Sequence, residues 1–202
     1  MNVLIACEFS GRVRDAFIAA GHNAISCDLE PTITAGPHHQ GDILEYLDKN
    51  QNRFDLMIAH PPCTYLCSSG LHWNSRRPER QAKTEEAIDF VMRLMSVNIP
   101  MIAIENPIGC LSTAIRKPDQ IIQPYQFGED ASKATCLWLK NLPPLIPTQY
   151  VEPRIVNGKP RWGNQTDTGQ NKLPPSADRW KLRSITYKGI ASAMASQWGC
   201  LK

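Results

Sequence analysis

The stretch FDLMIAHPPCTYLCSSG, residues 54–70, joins an apolar run to a proline pair, a cysteine and a polar, serine-rich tail. Leu56–Ala59 is short, wholly apolar and bounded by breakers, the pattern of a buried strand. Pro61 and Pro62 cannot continue it, because proline has no amide to donate to a central ladder. Cys63 is therefore expected just beyond a strand, on a stiff turn, at the edge where open α/β sheets build their sites. A cysteine there can be core filler, a metal ligand or a nucleophile.

Strand and helix patterns alternate outward from this stretch. NVLIAC (2–7), NAISCD (23–28) and PMIAIEN (100–106) read as strands. GRVRDAFIAAG (11–21) reads as a helix with Val13, Phe17 and Ala20 on one face and Gly21 closing it. DILEYLDKN (42–50) is a short helix, and TEEAIDFVMRLMSVN (84–98) an amphipathic one with Thr84 as N-cap. Such repeats predict one α/β domain over residues 1–202: a doubly wound, Rossmann-like, mostly parallel sheet with helices on both faces. KATCLWLKNL (133–142) adds a strand, and YKGIASAMASQWG (187–199) a closing helix of small residues. Residues 141–185, rich in proline and glycine, are expected to form a small irregular lobe without a core of its own.

Hydrophobic residues make up 42% and charged residues 20%, an ordinary soluble composition. No apolar run approaches the ~20 residues of a membrane helix, so no membrane partner is expected, and the N-terminus reads as a strand rather than a signal peptide. Seven scattered cysteines, an odd number, point to reduced thiols and a cytoplasmic setting. The net charge of +3 permits a nucleic-acid partner without arguing for one. A monomer is expected.

Gly11, in the loop CEFSGRVRDAF, allows close backbone approach, and the helix after it attracts negative or polar ligand groups. Asp28 stands where a carboxylate accepts bonds from ribose hydroxyls, and Asp42 could take an adenine amino group at the next strand end. An ordinary turn glycine and a capping aspartate are the alternative. Cys63 and Glu105 follow strands expected to be neighbours, each beside a proline. A glutamate directly after MIAI needs a partner or a role, because burying it unpaired is costly. His60, Cys63, Cys67 and His72 could instead gather around zinc, although no C-x-x-C knuckle is present. Arg76, Arg77, Arg80 and Lys83 around Trp73 suit a phosphate backbone and a stacked base, or simply a solvated helix approach. HPPC is also similar, weakly, to the Asp/Asn-Pro-Pro-aromatic motif of amino-methyltransferases, with Cys63 in place of the aromatic residue.

Taken in order, CEFSG, CDLEP, GDI, PPCTYLCSSG, ENPIG and YKGIASAMA resemble the motifs of the cytosine carbon-5 DNA methyltransferase family. The whole chain is similar to compact phage and prophage members. The resemblance implies S-adenosylmethionine as cofactor, DNA as partner and no metal. It implies Cys63 as nucleophile and Glu105 as acid. Phe9, Ser10, Gly11, Asp28, Leu29, Asp42, Ile43, Pro61 and Ser192 would hold the cofactor. Pro62, Ser69, Arg76, Arg77, Asn106, Lys133 and Thr135 would face DNA. The chain departs from the family at Pro107 and Ser192 and has no Gln-x-Arg-x-Arg segment, leaving Lys133 or Thr135 to substitute.

The implied chemistry is a thiolate adding to cytosine carbon 6 while a glutamate of raised proton affinity serves N3, on a loop able to close over a flipped base. Transfer of another one-carbon group, amino-methylation of a base, and a non-catalytic nucleic-acid-binding role are the alternatives. Arg154, Lys159, Arg161, Asn164 and Gln165 are the candidate sequence readers of the lobe. So small a surface predicts a recognition site of two to four bases, at ~1–3 kcal/mol of discrimination per good contact.

Overall fold

A computed structural model describes residues 1–201 of the chain. The strands are β1 (Asn2–Ala6), β2 (Asn23–Asp28), β3 (His38–Gln40), β4 (Leu56–Ala59), β5 (Met101–Pro107), β6 (Gln120–Ile122) and β7 (Thr135–Lys140). They form one sheet in the order β3-β2-β1-β4-β5-β7-β6, in which β7 alone runs against the rest. The helices are α1 (Arg12–Ala19), α2 (Ile43–Asn50), α3 (Ser68–Leu71), α4 (Pro78–Ser96), α5 (Leu111–Ala114), α6 (Arg179–Ser184) and α7 (Lys188–Trp198). This is the mostly parallel, Rossmann-like α/β architecture expected.

Alternation along each strand divides the core between two faces. Val3, Ile5, Leu56 and Ile58 pack under α1 and α7, against Val13, Phe17, Ile190, Met194 and Trp198. Leu4, Ala6, Met57, Ala59, Ile102 and Ile104 pack under α2 and α4, against Ile43, Leu47, Val91 and Leu94. Strands covered on both faces must be apolar throughout, which is why LMIA and MIAI carry no alternating polar residue. Among the described residues no helix is long and apolar enough to cross a membrane.

Several local expectations change. α4 starts at Pro78 rather than Thr84, because proline at the first helical position presets φ and loses no hydrogen bond. Thr84 lies mid-helix, its hydroxyl bonded to Arg80 O and Tyr65 O. The segment 141–185 is more regular than expected: a hairpin pairs β8 (Arg154–Val156) with β9 (Lys159–Arg161). Its turn, Asn157-Gly158, has both residues at positive φ, the chemistry of a two-residue hairpin. Leu142 and Leu145 lie in the core shared with α7.

Arg14 anchors the segment after β2. Its side chain is fully buried and paired with Asp15 at 2.8 Å. Its guanidinium donates to Ser26 Oγ, Thr32 Oγ1, Thr34 O, Thr34 Oγ1, Ala35 O and Pro37 O. A buried cation persists only when so satisfied. Arg14→Met should lower unfolding free energy by about 2–3 kcal/mol and loosen residues 32–37, read by chemical denaturation and amide exchange.

Candidate active site

The carboxyl ends of β1, β2, β4 and β5 lie on one edge of the sheet, and β1 is the strand from which the order winds both ways. In such sheets the crevice beyond those ends is where ligands bind. Cys7, the first residue after β1, has φ of 56°, the left-handed region that non-glycine residues seldom occupy. The turn leads into Glu8, whose buried carboxylate accepts from Val13 N at 2.7 Å, Arg14 N at 3.3 Å and Ser10 Oγ at 3.1 Å. The start of α1 is thus neutralised by Glu8, and the expected attraction of a ligand group to it is corrected. Gly11, at φ 69°, is needed for the chain's own packing: a Cβ there would sit 2.1 Å from Thr34 Oγ1. Phe9 and Ser10 are buried behind it. Glu8 has no motif spacing that reveals it; a carboxylate five residues before a helical valine is the only signal.

Asp28 and Asp42 cap adjacent strand ends. Asp28 Oδ1 accepts from Glu30 N at 2.9 Å, and burial raises its proton affinity against the effects of that bond and of His38. Asp42 N-caps α2, Oδ1 accepting from Leu44 N and Glu45 N, so the capping alternative describes it as well. Both carboxylates reach the thiols between them. Burial first, then Asp28 and Asp42, push Cys27 up to about 12, and Cys7 goes higher still. Leu29 is 70% exposed and Ile43 buried. Pro61 is buried; Ser192 lies on an exposed turn of α7 and makes none of the site's hydrogen bonds. The groups this edge offers a nucleoside are the two carboxylates, for hydroxyl and amino groups, and the exposed side chain of Leu29.

At the β4–β5 end the register Ala59↔Ile104 sets His60 beside Glu105. His60 Nδ1 lies 3.4 Å from Glu105 Oε2, and both side chains are nearly buried. Burial works against ionisation of Glu105, but the hydrogen bond from His60 and the positive charge of Lys133 outweigh it, so its carboxyl lies below the usual range. The raised proton affinity expected of Glu105 is corrected: the free protein holds a carboxylate. Cys63 shifts the opposite way. Burial first, with Cys67 and Glu105, raises its thiol against the pull of Lys133. Asn106, buried, donates to Pro61 O at 2.8 Å, while its Oδ1 has no partner. Asn106 therefore shapes the Cys63 turn from behind.

That turn is pinned, which corrects the expected closing loop. Cys67 pairs with Gly109 as an antiparallel bridge, flanked by Ser68 N to Ile108 O at 3.1 Å and Cys110 N to Leu66 O at 2.9 Å. From the other side Arg80 donates to Thr64 O and Gly70 O, and Thr84 to Tyr65 O. Pro62 and Ser69 are exposed on it, with Ser69 Oγ 3.3 Å from Cys67 Sγ. Among the described residues no three of His, Cys, Asp or Glu stand together as metal ligands: His60 turns to Glu105 and Cys67 to Ser69.

Basic and aromatic groups flank Cys63. Arg76 and Arg77 lie over the Trp73 ring, at 5.7 and 5.1 Å, and Arg80 and Lys83 over Tyr65. Lys133 Nζ bonds Arg183 O, and α6 leans over the edge, Lys181 reaching Glu30 at 2.6 Å and Trp180 facing Phe9. Most candidate readers are engaged inside the lobe: Arg154 with Asp167, Arg161 with Asp167 O, Asn164 with Ser132, Gln165 with Trp162 N. Lys159 stays exposed. A cavity of about 540 Å³ at the opposite sheet edge, lined by Asn2, Tyr46, Arg53 and Asp55 among others, offers no thiol and only a carboxylate already bonded to Asn2 N.

No family model matches the chain. No curated protein matches it either. Solved structures similar to it include the following two. One, described as a DNA modification methyltransferase encoded within a prophage of E. coli, is 14% identical with a TM-score of 0.44, over 75% of this chain and 52% of its own. The other, a mutant of Spodoptera frugiperda DNMT2, is 12% identical with a TM-score of 0.45, over 79% of this chain and 57% of its own. The chain spans little more than half the length of either.

Gly109 is the point at which the two loops meet most closely, since a Cβ there would lie 1.9 Å from Leu66 O. Gly109→Ala should cost about 1–3 kcal/mol in chemical denaturation and raise the alkylation rate of Cys63 as its turn comes free. In the unaltered protein, the raised thiol leaves less thiolate at pH 7.5 than an ordinary cysteine has. Iodoacetamide should therefore modify Cys63 more slowly than exposed Cys200, with the Cys63 rate still climbing in alkaline buffer.

Proposed function

We propose that this chain methylates carbon 5 of cytosine in DNA, using S-adenosylmethionine and a covalent Cys63 adduct. The observation that carries the reading is the placement of Cys63 and Glu105 at adjacent strand ends, with opposite proton preferences. Cytosine carbon 5 becomes nucleophilic only when a thiolate has added to carbon 6 and N3 has taken a proton. Cys63 begins with a proton and Glu105 begins without one. Glu105 can therefore accept the thiol proton as sulfur bonds carbon 6 and pass it to N3, so that the addition is neutral overall. When bound at Asp28 and Asp42, S-adenosylmethionine supplies the electrophilic methyl that carbon 5 takes. The carbon-5 proton is then lost to solvent as the carbon 6–sulfur bond breaks, and N3 returns its proton through Glu105 to the departing Cys63 thiolate, which restores the aromatic ring and leaves S-adenosylhomocysteine.

DNA is the partner proposed for the Trp73–Lys83 face. Arg76 and Arg77 would meet phosphates and the aromatic rings a displaced base, since a duplex must release its cytosine to reach Cys63. The lobe at 141–185 would serve as a reduced recognition region. Because its polar side chains are mostly engaged by the protein's own backbone, a recognition site of two to four bases fits it best.

Incubation with S-adenosylmethionine and genomic DNA, followed by mass spectrometry of nucleosides, should yield 5-methyldeoxycytidine. Cys63→Ala should abolish it, and Glu105→Gln should slow it by roughly 10²–10⁴-fold. An N4- or N6-methylated product that survives Cys63→Ser would make the chain an amino-methyltransferase. A heavier carbon-5 adduct would mean another one-carbon group. No product and no binding of S-adenosylhomocysteine would reduce it to a nucleic-acid-binding protein.

A further inference from the structure

His60 is in hydrogen-bond contact with Glu105, and the chemistry above leaves it without a part. It follows Ala59 at the end of β4, its backbone N–H bound to Ala6 O at 2.9 Å, which fixes where its ring begins. The ring is buried. Nδ1 lies 3.4 Å from Glu105 Oε2, and Nε2 is buried with no hydrogen-bond partner in the protein. Since Glu105 rests as a carboxylate, able only to accept, Nδ1 must carry the proton of that contact. A residue chosen only to fill this corner would be apolar, because an imidazole here leaves a ring nitrogen unsatisfied. The contact is long, as catalytic hydrogen bonds often are before substrate tightens them.

We propose that His60 is the positioning residue of Glu105: its Nδ1–H holds one carboxylate oxygen so that the other is presented to the incoming base. This rests on the reading of Glu105 given above and names the group that orients it. The orientation cannot come from β5 itself, because Asn106 is turned to Pro61 O. The other groups facing Glu105 are Cys63 from the β4 side and Lys133, Thr135 and Cys136 from β7. Lys133 is already drawn to Arg183 O, so its ammonium supplies charge rather than direction.

The test uses two variants of the full chain. Asn in place of His60 keeps an N–H near the Nδ1 position, and Leu removes it. His60→Leu should lower kcat at least tenfold, with affinity for S-adenosylhomocysteine within twofold of the parent. His60→Asn should keep at least a third of kcat. Loss of the donor should also raise the Glu105 carboxyl titration in His60→Leu, followed by carbon-13 NMR, and leave it near the parent value in His60→Asn. Equal kcat in both folded variants, or an unmoved Glu105 titration, would overturn the proposal. Should His60→Leu not fold, His60→Asn decides: a tenfold loss in that folded variant overturns it. If the parent makes no methylated base, the function reading fails, and the Glu105 titration alone still decides whether His60 holds the carboxylate.

Discussion

A few backbone hydrogen bonds between residues 66–68 and 108–110 hold the candidate site together. Parallel strands β4 and β5 bring His60 and Glu105 alongside, but strand pairing ends at Ala59↔Ile104. Beyond it, the Cys67–Gly109 bridge carries the pairing into the two loops. Without that short antiparallel segment the Cys63 turn would be held by side chains alone, and a misplacement of about 1 Å is enough to cost a reacting group much of its rate. Gly109 is glycine because the backbone of Leu66 occupies the space a side chain would need. Asn106 and Arg80 grip the same turn through the carbonyls of Pro61, Thr64 and Gly70.

Electrostatics divide the edge into two parts. Around Cys7 and Cys27 the carboxylates of Asp28 and Asp42, together with burial, keep thiols protonated and inert. Around Cys63 the positive charge of Lys133 opposes burial, so this is the one buried thiol at the edge with a cation working to ionise it. The same lysine favours the Glu105 carboxylate. One cation acting on both the thiol and the carboxylate couples their protons.

The sheet was legible because its strands are buried on both faces, and LIA, LMIA and MIAI leave little room for another reading. The places of Glu105 and Cys63 are legible for the same reason: a glutamate closing such a run, or a cysteine on the turn just after one, has an address on the sheet edge. What the chain hid depends on distance in space. Arg14 looks like one more surface residue of an amphipathic helix, yet it is the tie for residues 32–37. Glu8 looks like part of a loop, yet it fills the start of α1. The sequence offers His60 as a metal ligand, and only the register of β4 on β5 turns it to Glu105. The β8–β9 hairpin was readable from Asn157-Gly158 and was obscured by the surrounding prolines.

The central claim is that Cys63 becomes covalently bound to a cytosine during the reaction. The most direct measurement uses a DNA duplex carrying 5-fluorodeoxycytidine, whose carbon-5 fluorine cannot leave as a proton does, so that the adduct persists. Incubated with S-adenosylmethionine and this DNA, the protein should form a denaturation-resistant complex, and peptide mapping should place the nucleotide on Cys63. Methylation of ordinary DNA with no trapped complex, or a complex on Cys67 or Cys110 instead, would contradict the account.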